Sequence, residues 1–144
     1  VMMTRRLFEA SGGFDENLPV CEDYDLWLRI AIDHHFGLIS EPLVMKRGGH
    51  ADQLSHSLWG MDRFRVAALQ KLLRLGIRGA HRAAALEAMR RKVAILALGA
   101  LKRGKAEEAR DYETLLEEFL PENVHVGHGD LRLCQSAGVS RPNP

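Results

Sequence analysis

The strongest constraint on the fold of this chain is the helical spacing of apolar residues between residues 61 and 119. In the first part of this region, five apolar residues lie at helical spacing and would form one stripe on a helix: Phe64, Ala67, Ala68, Leu72 and Leu75. Gly76 and Gly79 then interrupt the pattern. The spacing further predicts a second helix over residues 81–102 and a third over residues 105–119. We therefore expect a block of amphipathic helices that bury one face each.

The first 60 residues show a mixed pattern. A short helix is expected over residues 4–10, because Ser11, Gly12 and Gly13 follow and glycine accepts the left-handed geometry that ends helices. A turn-rich stretch leads to a second helix, predicted over residues 23–32.

Three short apolar segments are predicted to be strands. Residues 36–40 and 43–46 are separated by Pro42, which marks an edge or a bend because it cannot donate to a sheet ladder. Residues 1–3 resemble the end of a buried strand, and we expect sequence to precede them. The pattern as a whole predicts an α/β fold followed by an α-helical extension.

Size and charge limit the classes of function. The chain has 144 residues, of which 46% are hydrophobic, enough for one compact domain or a fragment of one. Its 20 basic and 19 acidic residues give a net charge of +1, so we expect no nucleic-acid partner. The charges are unevenly distributed: residues 1–60 hold nine acidic and five basic groups, and residues 61–119 hold eight acidic and thirteen basic ones. This asymmetry predicts surfaces with different partners.

Cysteine usage and hydropathy indicate the compartment. Cys21 and Cys134 are far apart and lack the spacing of metal ligands, which fits a reducing cytoplasm. No apolar run approaches the roughly 20 residues that a membrane-spanning helix needs. We expect a cytoplasmic protein, with peripheral contact at the inner face of the membrane as a further prediction.

The most informative segment is residues 12–29, GGFDENLPVCEDYDLWLR. It resembles the inverting, family-two glycosyltransferases of the GT-A fold, in which a G-G-F-D-E loop precedes an E-D-x-D-L-W-x-R helix start. The later stretches KRGGHADQLS and GMDRFR resemble a bacterial branch of that family. The resemblance implies that residues 1–58 form the late, acceptor-side part of a GT-A catalytic domain. Residues 59–120 would then be a helical extension and residues 121–144 a loose tail.

The resemblance implies transfer of a sugar from a nucleotide-diphosphate donor to a glycan or lipid-linked acceptor, with inversion, and assigns the catalytic base to Asp23. Such transfer needs a base that removes a proton from the acceptor hydroxyl. At the start of a helix, the dipole favours an ionised carboxylate by roughly 0.3–1 kcal/mol. Glu22 would orient the acceptor. The alternative for Asp23 is an ordinary helix N-cap.

The neighbouring polar residues have two interpretations each. The resemblance places Asp15, next to Gly13, on the acceptor side of the cleft, and an Asx turn is the alternative. Asp25 is interpreted as a capping or first-turn carboxylate. For Arg29 we prefer an ion pair with Asp25 at i, i+4 over contact with a phosphate. Trp27 is predicted to be a core residue.

The loop after the predicted strands supplies the candidate ligands of the donor. The resemblance implies that His50 completes a divalent metal or diphosphate site, with Mn or Mg as the metal. His56 is a weaker candidate, and a solvated loop histidine is the alternative. Lys46 and Arg47 would stabilise the departing diphosphate through their positive charge.

One departure from the family concerns the donor site. The family binds metal and nucleotide through a D-x-D motif in its amino-terminal half, and no such motif precedes Gly12. The sequence Asp23-Tyr24-Asp25 has this form but coincides with the E-D element. We therefore expect the chain alone to be inactive, with its donor-binding half missing. The Q-x-x-R-W signature of processive synthases is absent as well.

Two rival hypotheses belong to other classes. Asp33, His34 and His35 spell the D-H-H of a phosphoesterase family, but the sequence lacks the further acidic and histidine clusters of a two-metal site. The main alternative is a helical module without catalysis, in which the basic helices of residues 61–119 contact a partner protein or an anionic membrane surface.

Overall fold

A computed structural model describes residues 1–45 and 60–120 of the chain. These residues form five α-helices and one short 3₁₀ turn. The elements, in chain order, are α1 (Arg5–Ala10), α2 (Glu22–Ile30), α3 (Met61–Arg74), α4 (Gly79–Lys102), α5 (Ala106–Thr114) and the 3₁₀ turn Glu117–Phe119. None of the helices in these two ranges is long and apolar enough to cross a membrane.

The core lies between α3 and α4, which pack along each other and are joined by a turn at residues 75–78. Leu69 of α3 and Met89 of α4 are completely buried at its centre. Leu116 and Phe119 close one side of this core. Ala97 and Ala100 of α4 meet Ala109 of α5 in a second, smaller cluster. Small side chains at this contact allow close approach of the two helices.

Helix α2 packs on α3 and brings the segment around residues 12–29 onto the helical block. Leu26 and Ile30 are buried, and Tyr24 and Leu28 pack against the main core. The residue before the helix, Cys21, is left-handed, with φ of 63°, and provides no side-chain cap. A left-handed backbone is unfavourable for a residue with a Cβ atom. Tertiary packing therefore determines where α2 begins.

The predicted α/β fold is wrong for the part of the chain that the structure describes, which is helical and contains no strand. Residues 36–40 and 43–45 lie outside any ladder, and Leu38 and Val44 are 93% and 85% exposed. Val1 and Met2, expected at the end of a buried strand, are each 93% exposed. A strand needs a neighbour for its backbone hydrogen bonds. Across residues 1–45 and 60–120, these segments have none, whereas a helix forms most of its backbone hydrogen bonds within itself.

The sequence predicts five helices, and the described residues form five, with differences in their limits and buried faces. The buried stripe of α3 consists of Val66, Ala68, Leu69, Leu72 and Leu73. It is rotated from the predicted stripe, so that Ala67 and Leu75 are exposed. The third predicted helix is shorter, because α5 ends at Thr114 and continues only as a 3₁₀ turn. The predicted boundary between residues 58 and 59 lies outside the described ranges.

Candidate functional site

The loop between α1 and α2 is folded back by two consecutive left-handed glycines. Gly12 and Gly13 have φ of 77° and 67°, which glycine adopts without steric cost. Their N–H groups donate to the carbonyls of Glu9 and Phe8 at the end of α1. Beyond them, Phe14 and Phe8 meet edge to face, with ring centroids 5.2 Å apart. The loop is thereby anchored at its α1 end.

The buried carboxylate of Asp25 connects this loop to two helices. It is 1% exposed, and its Oδ2 accepts hydrogen bonds from Arg29 Nε at 2.9 Å and from Lys71 Nζ at 3.1 Å. The Arg29 guanidinium also donates through Nη2 to the carbonyl of Gly13 at 2.7 Å and through Nη1 to that of Ser11. The preferred interpretation of Arg29, an ion pair with Asp25, is confirmed. One charged centre therefore joins α2, α3 and the glycine turn.

Asp15 lies in the same loop, two residues beyond Gly13. Its Oδ1 accepts bonds from both the backbone and the side-chain nitrogen of Asn17, each at 3.0 Å, which is the Asx turn given as the alternative for this residue. Its Oδ2 lies 2.6 Å from Lys71 Nζ. These bonds, that from Lys71 above all, lower the pKa of Asp15 to about 2. Burial disfavours the charged form of Lys71, but the bonds to Asp15 and Asp25 outweigh it and raise the pKa of its ammonium.

An open depression of about 380 Å³ lies over this loop. It is lined by Gly12, Gly13, Phe14, Asp15, Glu16, Arg29 and Lys71. Phe14 presents an apolar ring that is 47% exposed, and Asp15 and Glu16 present carboxylates. An aromatic face beside hydrogen-bonding groups is a surface on which a polar ring-shaped ligand can lie.

Glu22 and Asp23 are the first two residues of α2. Asp23 is exposed and accepts a hydrogen bond from the backbone N–H of Tyr24 at 2.7 Å. It is not the N-cap, since Cys21 holds that position. The first turn of α2 therefore contains a buried carboxylate, Asp25, an exposed one, Asp23, and the half-buried Glu22. Neither Glu22 nor Asp23 lines the depression.

The remaining predicted ligands lie outside the described residues: Lys46, Arg47, His50 and His56. Their roles in binding a diphosphate or a metal stay predictions. Within residues 1–45 and 60–120, no group of three or more acidic, histidine or cysteine side chains could hold a metal ion. This finding includes Asp33, His34 and His35, all exposed after α2. The described residues thus do not themselves form the expected Mn or Mg site.

Lys71 was not predicted as a site residue. It lies at the third position after the buried Ala68, where a continuous apolar stripe would have another apolar side chain. A lysine at such a position is the signal from which a buried acidic partner could have been inferred. Trp27, expected in the core, is only half-buried and meets Phe36 edge to face, with ring centroids 6.1 Å apart.

No family model, no curated protein and no solved structure matches this chain.

Proposed function

We propose that this chain provides the acceptor side and the general base of an inverting glycosyltransferase. The enzyme would transfer a sugar from a nucleotide-diphosphate donor to a hydroxyl group of a glycan or lipid-linked acceptor. The motif GGFDENLPVCEDYDLWLR supports this proposal. The structural observation that carries it is the difference between the two aspartates in the first turn of α2, since Asp25 is buried in ion pairs and Asp23 is exposed.

An exposed carboxylate at a helix start is suited to a general base. The first-turn position stabilises its ionised form, and exposure allows a substrate hydroxyl to approach. Asp23 accepts the hydroxyl proton while the acceptor oxygen forms its bond to the anomeric carbon. The bond from that carbon to the diphosphate breaks on the opposite face, and the diphosphate leaves with the electron pair. Inversion at the anomeric carbon follows from this geometry.

The other residues have distinct roles in this proposal. Glu22, next to Asp23, orients the acceptor hydroxyl. The loop with Gly13 and Asp15 forms one wall of the acceptor site, and its depression offers the Phe14 ring and two carboxylates. Arg29 and Asp25 hold that loop on α2 and do not touch the reacting atoms. No step is assigned to a metal ion.

The test is Asp23→Asn in the protein encoded by the whole reading frame that contains this chain. Transfer is measured across a panel of nucleotide sugars with manganese present, and donor binding is measured separately. Loss of the base should lower transfer by about 10²- to 10⁴-fold while donor binding is retained. Asp33→Asn is the matched control, because Asp33 is an exposed aspartate just after α2. Unchanged transfer in Asp23→Asn would reduce Asp23 to a carboxylate that stabilises the helix start.

A second candidate function is a helical interaction module without catalysis. It is favoured by Ile95 and Leu101 of α4, which are 58% and 43% exposed on a block rich in basic residues. The sequence encoded before Val1 distinguishes the two candidates. An in-frame strand that ends in a D-x-D motif would support the transferase, and a start codon directly before Val1 would support the interaction module.

A further inference from the structure

Lys71 connects the helical block to the candidate site across a long sequence separation. Its ammonium lies 2.6 Å from Asp15 Oδ2, 56 positions earlier in the chain, and 3.1 Å from Asp25 Oδ2, 46 positions earlier. The side chain of Asp25 is 2% exposed, that of Asp15 20% and that of Lys71 40%. The contact is therefore partly sheltered from solvent, where charge-assisted bonds are stronger than on an open surface.

Two points of the loop are connected to the Asp25 carboxylate, each through a different cation. Arg29 connects Asp25 to the carbonyl of Gly13, and Lys71 connects Asp25 to the side chain of Asp15. The first connection joins α2 to the glycine turn after α1. The second comes from α3, which belongs to the predicted helical extension. Removal of Lys71 would therefore release Asp15 and leave Gly13 attached.

Lys71 also separates two negative charges. Asp15 and Asp25 both approach its ammonium, and without that charge their carboxylates would repel each other. The expected response is that Asp15 swings toward solvent, because Asp25 is buried and is still bound by Arg29.

We infer that Lys71 is a positioning residue, which holds the loop at residues 14–18 against α2 and thereby makes the helical block part of the acceptor site. Only the statement that the helical block is part of the acceptor site rests on the proposed function. The ammonium acts through Asp15 and does not reach the reacting atoms. Its loss should weaken acceptor binding and leave donor binding and the chemical step nearly unchanged.

The first experiment measures hydrogen exchange in the protein that carries this chain, without reference to activity. The Asn17 N–H donates to Asp15 Oδ1 and the Leu18 N–H donates to the Asp15 carbonyl. In Lys71→Met, exchange at these two amides should accelerate about threefold or more. The Gly12 and Gly13 amides, bonded to α1, should exchange as in the wild type and serve as the internal control. If Lys71→Met matches the wild type at all four amides, or accelerates exchange equally at all four, the inference is overturned.

The second experiment separates positioning from a general effect on stability. In Lys71→Met, the KM for the acceptor should rise roughly fivefold, with kcat and the KM for the donor within about twofold of the wild type. Lys71→Arg should restore most of the acceptor KM, because it keeps the charge. Lys102→Met, which alters an exposed lysine at the end of α4, is the matched control. An equal loss in both methionine variants, or a fall in kcat alone, would contradict a positioning role.

The two hypotheses fail in different ways. A wild-type protein that transfers no sugar would defeat the proposed function, and the exchange rates would still decide whether Lys71 holds the loop. Conversely, the wild type could transfer sugar and Lys71→Met could match it in every measurement. Lys71 would then have no role in the site, and the transferase proposal would stand.

Discussion

Arg29 Nε and Asp25 Oδ2 lie 2.9 Å apart, one turn from each other on α2, and Asp25 is 1% exposed. A buried carboxylate is costly unless cations and hydrogen bonds compensate for its lost hydration. Here two cations do so, because Lys71 binds the same oxygen. The stability of the α2 region therefore depends on keeping this centre complete.

Asp25→Asn should destabilise the fold by about 2–3 kcal/mol, since it leaves two cations beside a neutral amide. The loss is smaller than for a fully buried pair because Lys71 is partly exposed. The urea midpoint of unfolding measures the change. Asp33→Asn, at an exposed aspartate, should stay within about 0.5 kcal/mol of the wild type. Equal midpoints for the two variants would show that Asp25 does not organise this region.

The core between α3 and α4 gives a second prediction. Leu69→Ala removes a completely buried side chain and should cost about 2–5 kcal/mol through lost burial and the cavity left behind. Leu75→Ala alters a leucine of the same chain segment that is 61% exposed, and should cost less than about 0.5 kcal/mol. Thermal or urea unfolding of the two variants checks the difference. A reversed order would mean that Leu69 does not belong to the buried stripe of α3.

The glycine turn gives a third prediction. Gly13 has φ of 67°, and a Cβ atom there would lie 3.3 Å from Cζ of Phe8. Gly13→Ala should therefore destabilise the protein by about 1–2 kcal/mol. Gly37→Ala is the control, because a Cβ atom there would meet nothing within 4 Å. The control should be neutral or slightly stabilising in the same unfolding assay, since alanine restricts the unfolded chain. A neutral Gly13→Ala would contradict the left-handed turn.

Acid should weaken the contact between Asp15 and Lys71. The pKa of Asp15 is about 2 in the fold, below its ordinary value of 3.8, so the folded state binds fewer protons than the unfolded state between these values. The stabilisation is complete above about pH 4 and is lost as the pH falls through about 2. The difference in unfolding midpoint between wild type and Asp15→Asn should accordingly shrink between pH 4 and pH 2. A difference that does not vary with pH would show that the carboxylate charge of Asp15 is not involved.

The sequence predicted the parts of the fold that depend on local pattern. Helices near residues 4–10, 23–32, 61–75 and 81–102 all appear within a few residues of their predicted limits. The i, i+4 pair of Asp25 and Arg29 could likewise be predicted from the sequence, because one helical turn brings the two side chains together. Strands are different, since a strand requires a partner that local sequence does not identify. The apolar run after α2 therefore suggested a sheet that the described residues do not form.

The candidate site was predictable only in part. Glu22, Asp23 and Asp15 were identified from their motif, and the structure places Asp15 and Asp23 in different surroundings, one ion-paired and one exposed. Lys71 could not be paired with Asp15 from sequence, because the contact depends on how α3 crosses α2. Long-range contacts of this kind follow from packing and not from a local signal.

The left-handed backbone of Cys21 has a consequence for how the Asp23 carboxylate is presented. A residue with a side chain adopts this geometry against its own preference, and the helix start has no side-chain cap to compensate. A peptide that contains only the motif should therefore not reproduce the start of α2 in isolation. The start of α2 is held by α3, which begins more than thirty residues later in the chain. Any transplantation of the motif into another scaffold would have to include a substitute for α3.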